Sequence, residues 1–211
     1  MVKRKRVPTK KVDSVTTGKA QEAEEWVTSS KLPVRTKKRL LLFIRRFSDL
    51  EFYQETAETF MMLEEKQKIK LPLWLKKIRQ TLAFVFPGKQ VTFQLDGFDG
   101  STPREENVAD IWYAIGLLGY ANDDQRAVLE RGNLFPIGYW QGGDSTLAIR
   151  LDGKDKAIYE FAEDDLLDNQ AEGSNPLSSV RVVYNDYSDL FKHIVLLKHG
   201  SKVIRIEEET S

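Results

Sequence analysis

The chain contains no cysteine, which excludes disulfides, a thiol nucleophile and a cysteine-based zinc site. Histidine is almost missing too. His193 and His199 are the two present, so a histidine-based triad would have to use one of them. Six positions apart, they do not share a helical face as i, i+4 metal ligands do. His193, set among Phe191, Ile194 and Val195, reads as a helix-face residue. Long apolar runs are also lacking. Leu40-Leu-Leu-Phe-Ile44 is one such run, far below the roughly 20 residues that cross a bilayer. No apolar h-region follows the charged N-terminal residues, so a secretory signal is not expected and a cytoplasmic location is. Gly138, Gly142 and Gly143 form neither a phosphate loop with its Lys-Ser/Thr nor a dinucleotide fingerprint.

What is present is enough apolar material for a core, and an uneven distribution of charge. Hydrophobic residues make up 41% of the 211, as in folded domains. The formal net charge is zero, yet residues 1–50 hold 14 Lys/Arg against 5 Asp/Glu, which leaves 18 against 27 in residues 51–211. A basic arm is joined to an acidic body. Residues 1–33 lack apolar periodicity and are expected to be a disordered basic tail. Within it, Lys3-Arg-Lys-Arg6 and Lys10-Lys11 read as a solvated charge cluster, or alternatively as a nuclear-import or nucleic-acid patch. Residues 34–211 are expected to form a single α+β domain.

Inside that domain, Thr36 is the expected N-cap of a basic amphipathic helix that docks through Leu40, Leu41, Phe43, Ile44 and Phe47. Ser48 and Glu51 match a capping box, and Leu50, Tyr53, Ala57, Phe60, Met61 and Glu64 describe the stripe of the helix it would open. Pro72 fits the first turn of the next helix, with Trp74, Ile78, Leu82 and Val85 inward and Pro87-Gly88 at its end. Val91, Phe93 and Leu95 alternate as a half-buried strand. Asp96-Gly-Phe-Asp-Gly100 follows as a turn, because it lacks the carboxylate spacing and terminal Glu of a calcium loop. Asn107 is expected to cap a helix carrying Val108, Ile111, Trp112, Ile115 and Leu118, and Asn122 with Gln125 to start another. Asn185 or Asp186 opens a last helix with Tyr187, Leu190, Phe191, Ile194 and Leu197 inward. Val203 to Ile206 reads as a short strand.

The centre of the chain, residues 134–161, is expected to be a three-strand meander. It would lie within a single mixed, mostly antiparallel, curved sheet flanked by helices. Leu147, Ile149 and Leu151 alternate with Thr146, Ala148 and Arg150, giving one apolar face. A five-residue loop at 152–156 would pair Leu151 with Ala157, Ile149 with Tyr159 and Leu147 with Phe161, all on that face. Beyond it, residues 157–180 contain no Lys or Arg but hold Glu160, Glu163, Asp164, Asp165, Asp168 and Glu172. As an acidic loop with no adjacent base or anchoring motif, this is read as surface rather than as an acid/base or Mg²⁺ site. No catalytic residue, metal or cofactor is expected.

The order Glu64, Leu71-Pro72-Leu-Trp74, a strand, then Phe135-Pro-Ile-Gly138, Gly143-Asp144, Leu151-Asp152 and Tyr159-Glu-Phe161, ending in Tyr187-Ser-Asp-Leu-Phe191, resembles the SUKH superfamily over about residues 50–198. That superfamily includes the Smi/Knr cell-wall regulators of fungi and many bacterial immunity proteins. Phe84-Val-Phe-Pro-Gly88 stands where the family usually has Asn-Gly-Gly after its Leu-Pro helix. The resemblance implies an α+β domain that acts by binding another protein and performs no chemistry.

The function expected on these grounds is that of a non-catalytic protein-binding module, most concretely an immunity protein that binds and neutralises a toxin. A basic toxin domain would be steered by the acidic stretch, with contacts from Glu163, Asp164, Asp165 and Asp168. Tyr139 and Trp140 are the candidate aromatic anchors, whereas Tyr159 is assigned to the sheet core. Two alternatives stand beside this reading. One is a regulatory scaffold. The other is nucleic-acid binding through the basic arm from Lys3 to Lys38, against which the acidic body argues by repulsion.

Overall fold

Strands of the central meander run where the period-2 pattern puts them, and the rest of the fold is arranged on both sides of the sheet they form. A computed structural model describes residues 16–48, 50–85, 92–95, 108–109, 120, 122–139 and 145–197. The architecture is α+β, with a curved, unclosed four-stranded antiparallel sheet and flanking helices. That sheet has the order β6 (Leu134–Tyr139), β7 (Ser145–Arg150), β8 (Ile158–Ala162), β9 (Arg181–Tyr184). Register shifts at Pro136/Gly138 and at Ile158/Tyr159 bend it, as bulges do. Among the described residues the other strands form two further antiparallel sheets rather than extending one mixed sheet. They are β1 (Thr16–Gly18), β2 (Glu51–Gln54) and β3 (Ala83–Val85), and a group in which β4 (Thr92–Leu95) lies between β5 (Val108–Ala109) and β10 (Ile194–Leu197).

The register of the meander differs by one residue from the expected one. Ile149 pairs with Ile158, Ala148 with Tyr159 and Leu147 with Glu160, so Tyr159 and Phe161 lie on the face opposite Ile149 and Leu147. Both faces are covered. Leu147, Ile149 and Ile158 join the larger core with Phe135, Ile137 and Tyr184, while Ala148, Tyr159 and Phe161 pack with Val128, Leu129 and Leu166. A one-residue slip is costly only where a single face is apolar. With two buried faces, matching of apolar residues across the turn does not select the register.

The expected basic tail is ordered from residue 16. β1 pairs antiparallel with β2, Thr17 opposite Tyr53, and helix α1 (Ala20–Ser29) buries Ala23 and Val27 completely. The signal is faint in the sequence because the inward residues are Ala20, Ala23, Trp26 and Val27, two of them alanines, along about two turns. A side chain at Gly18 would meet this packing, since a Cβ there lies 2.6 Å from Glu22 Oε2 and 2.8 Å from the Trp26 ring. Gly18→Ala is therefore expected to destabilise the protein by about 1–3 kcal/mol, the usual cost of overpacking, measurable as a lower urea midpoint. Residues 1–15 lie outside the described residues.

Helix α2 (Val34–Arg46) docks as its pattern demands, with Leu40, Phe43, Ile44 and Phe47 buried. Phe43 meets Phe47 at 4.9 Å and Phe191 at 5.4 Å between ring centroids. Its N-cap is Pro33, not Thr36, which is buried inside the helix. The Ser48–Glu51 capping box does not form: Glu51–Gln54 is strand β2, held between β1 and β3. Helix α3 (Ala57–Gln67) starts later, where the Thr56 side chain accepts from the Thr59 N–H at 3.3 Å. Helix α4 (Leu73–Thr81) follows with Pro72 at its N-cap rather than in its first turn, and stops well before Pro87 because Ala83–Val85 pairs with β2.

Val108 likewise lies in β5 opposite Gln94, not in a helix. The Asn122 side chain caps helix α5 (Asp123–Arg131), accepting from the Gln125 N–H at 2.7 Å. Helix α6 (Glu163–Ala171) follows β8 directly. In the final helical stretch Asp186 caps a 3₁₀ turn (Tyr187–Asp189) that leads into the short helix α7 (Leu190–His193). Tyr187, Leu190 and Phe191 point inward as expected, but Ile194 and Leu197 belong to β10, paired with β4. The turn at 96–100 and the strand at 203–206 lie outside the described residues.

Candidate functional site

The base-free acidic segment is a helix rather than a loop. β8 delivers the chain to Ala162, which caps α6 without a side-chain bond. Glu163, Asp164 and Asp165 then fill the first turn, where negative charge is favoured by the exposed N–H groups of the helix start. Leu166 is buried against the second core, which fixes the roll of the helix. Asp164, Asp165 and Asp168 are consequently exposed, and Leu167 stands among them 41% exposed. Asp164 and Asp168 are i, i+4 neighbours, and like charges at that spacing cost a few tenths of a kcal/mol. Gly173, at φ 74°, ends the helix in a conformation that suits glycine.

The predicted site residues divide. Asp164, Asp165 and Asp168 share this exposed face. Tyr139 ends β6 opposite Thr146, but its side chain, that of Glu163 and all of Trp140 lie outside the described residues. Glu160 does not contribute to the face. It is buried in β8 and accepts from Arg181 Nε at 2.7 Å, so the first base after the run neutralises an acid that points inward. Tyr159 is core, as assigned. Its hydroxyl accepts from Arg150 Nε at 3.0 Å and donates to Asp155, tying the 151–157 loop to the sheet.

The basic half of the chain is less available than its charge suggests. Lys37 Nζ donates to the Thr28 carbonyl at 2.8 Å, Arg45 grips Glu24 through Nε and Nη2 at 3.2 Å each, and Arg46 Nη1 donates to the Lys192 carbonyl at 3.1 Å. Arg39 is turned to Ser188 Oγ at 2.8 Å and to Asp186 and Asp189. These cations hold α2 to its neighbours. Among the described residues, no group of three or more His, Asp or Glu is placed to hold a metal ion, and no helix is long and apolar enough to cross a membrane.

No family model, curated protein or solved structure matches the chain. The arrangement must therefore be read from its own chemistry.

Two buried ionic clusters escaped the sequence reading. Arg79, inside α4, is buried and bonded through Nε to Glu55 Oε2 at 2.8 Å and through Nη2 to Glu55 Oε1. In α3, Glu64 Oε1 accepts from the Leu71 N–H at 2.7 Å and from Lys76 Nζ at 2.5 Å. That bond gives the Glu64 to Leu71-Pro72 spacing a physical meaning, since the carboxylate closes the loop that leads into α4. Periodicity set Glu64 on the stripe of its helix but carried no sign of its partners, and it gave none for Arg79.

Burial by itself would raise the Glu64 pKa, but the bonds from Lys76 and Leu71 outweigh it and hold the carboxyl below its ordinary 4.5. A carboxyl depressed on folding stabilises fully above its unfolded value and loses that contribution as pH falls through the folded one. Stability is thus expected to fall as pH drops below 4.5. Glu64→Gln should flatten this acid limb, while costing about 1–3 kcal/mol near neutrality through the weakened loop closure. Urea midpoints between neutral pH and about pH 3 measure both effects.

Proposed function

We propose that this protein is an intracellular, non-catalytic binding module of the SUKH type, and that its partner is a basic toxin domain which it occludes. The observation that carries the reading is the exposed face of α6. Three carboxylates and a partly exposed leucine project from a helix whose opposite side is locked into the core, in a stretch of 24 residues without a base. Such a face steers a cationic partner and offers an apolar contact once it has docked. The engaged cations of α2 count against nucleic acid as the ligand of that helix. A regulatory scaffold with a different basic partner would use the same face.

Co-expression with the toxin-like product of a neighbouring gene tests the proposal. The expected result is co-purification of a complex and rescue of growth. Growth arrest that persists with both proteins folded and present would overturn the immunity reading.

A further inference from the structure

A cleft of about 430 Å³ opens between the end of α1, the end of β2 and the last turn of α4. Its volume lies within the roughly 300–1,000 Å³ of small-ligand sites. Trp26 forms an aromatic wall and Leu32 an apolar floor, while Lys31, Gln54, Lys77 and Gln80 also line it. The indole edge lies close to Gly18, where an added Cβ would come within 2.8 Å of it, and the ring is partly buried against the main core, so the wall is preformed. None of the four long polar side chains has a hydrogen-bond or ion-pair partner among the described residues. No lining residue is acidic among the described residues.

This set of groups selects a chemistry. A flat ring stacks on a planar base. Free carboxamides can pair with the donors and acceptors on a base edge. Two unpaired ammonium groups with no competing carboxylate favour an anion, and phosphate is met by lysine as a point charge. We propose that the cleft binds a phosphorylated nucleoside, the base stacked on Trp26 and read by Gln54 and Gln80, the phosphate held by Lys31 and Lys77. The site is separate from the acidic face of α6 and does not depend on its role. One wall, from Trp26 to Leu32, comes from the segment that composition alone assigns to a tail.

The shared chemistry has two sources, a free nucleotide or one nucleotide of a single strand. Calorimetric titration of the full chain with AMP, adenosine, inorganic phosphate and an adenosine tetranucleotide separates them. AMP is expected to bind saturably and at least about tenfold more tightly than adenosine or phosphate alone, because stacking and charge act together. Lys31→Gln combined with Lys77→Gln should weaken AMP about tenfold and leave the melting temperature unchanged, since neither lysine side chain has a hydrogen-bond or ion-pair partner among the described residues. A tetranucleotide that binds far more tightly than AMP, with the same dependence on the two lysines, identifies a single strand as the source. Equal affinities identify the free nucleotide. Absence of saturable binding by both AMP and the tetranucleotide at millimolar concentration overturns the proposal, as does binding that ignores the lysine replacements.

Discussion

Arg79→Met is expected to destabilise the protein by about 3–5 kcal/mol, the cost of removing one partner from a buried ion pair. Both side chains are about nine-tenths buried, and the two are joined by a two-point guanidinium–carboxylate bond. Their backbones are joined as well, the Glu55 N–H donating to the Arg79 carbonyl at 3.2 Å. Burial alone would lower the Arg79 pKa. The Glu55 carboxylate, with Tyr187 and Tyr53 beside it, reverses that tendency and leaves it raised, so the guanidinium stays charged at every accessible pH. Methionine fills much of the volume but strands the Glu55 carboxylate. Adding Glu55→Gln to the variant should recover a large part of the loss, because the stranded charge is the main penalty. Urea unfolding of the two single variants and the double variant measures the coupling. A single-variant cost below about 1 kcal/mol would mean that water reaches Glu55 and that the pair is not a lock.

Reversal of charge at Asp164, Asp165 and Asp168 together, each to Lys, is expected to slow association with a basic partner by about 10–1,000-fold at low ionic strength. The three side chains are exposed and have no ion-pair partner among the described residues, so the fold should survive. The pair at positions 164 and 168 stays like-charged in the variant, so its i, i+4 term is unchanged, and the cost to the helix is that of two lysines in its first turn, about 0.3–1 kcal/mol each. The signature is kinetic: the on-rate falls, and the difference from the unmodified protein shrinks as salt shortens the Debye length below about 10 Å. An on-rate that is unchanged at low salt removes α6 from the interface. A loss confined to the off-rate instead assigns α6 a contact in the docked complex without long-range steering.

Much of the fold was legible locally. Alternation placed β4 and the three meander strands. A 3.6-residue stripe placed the buried side of α2, and Asn122 marked the start of α5 through its cap. Of the candidate face, the run of carboxylates was plain, but its helical form was not. Leu166 is the single residue of α6 in the second core, and one inward residue sets no period. The pairings of Glu160 with Arg181 and of Glu64 with Lys76 were invisible for a different reason. An isolated charge carries no sign of whether a partner will be brought to it.

By itself, then, the sequence determined the α+β class, the existence of the central strands, the docking side of the basic helix and the separation of charge between the two ends. Tertiary structure alone decided that Phe52-Tyr53, Ala83–Val85 and Ile194–Leu197 are strands, that the meander takes its register one residue away from the apolar match, and that residues 16–29 belong to the body. The reason is common to all three. A strand is stabilised by hydrogen bonds to a neighbour that can be scores of residues away, as Ile194 is from Leu95, and a short helix by a surface supplied from elsewhere. Local propensity differs by only about 1 kcal/mol across residue types, so the distant partner prevails.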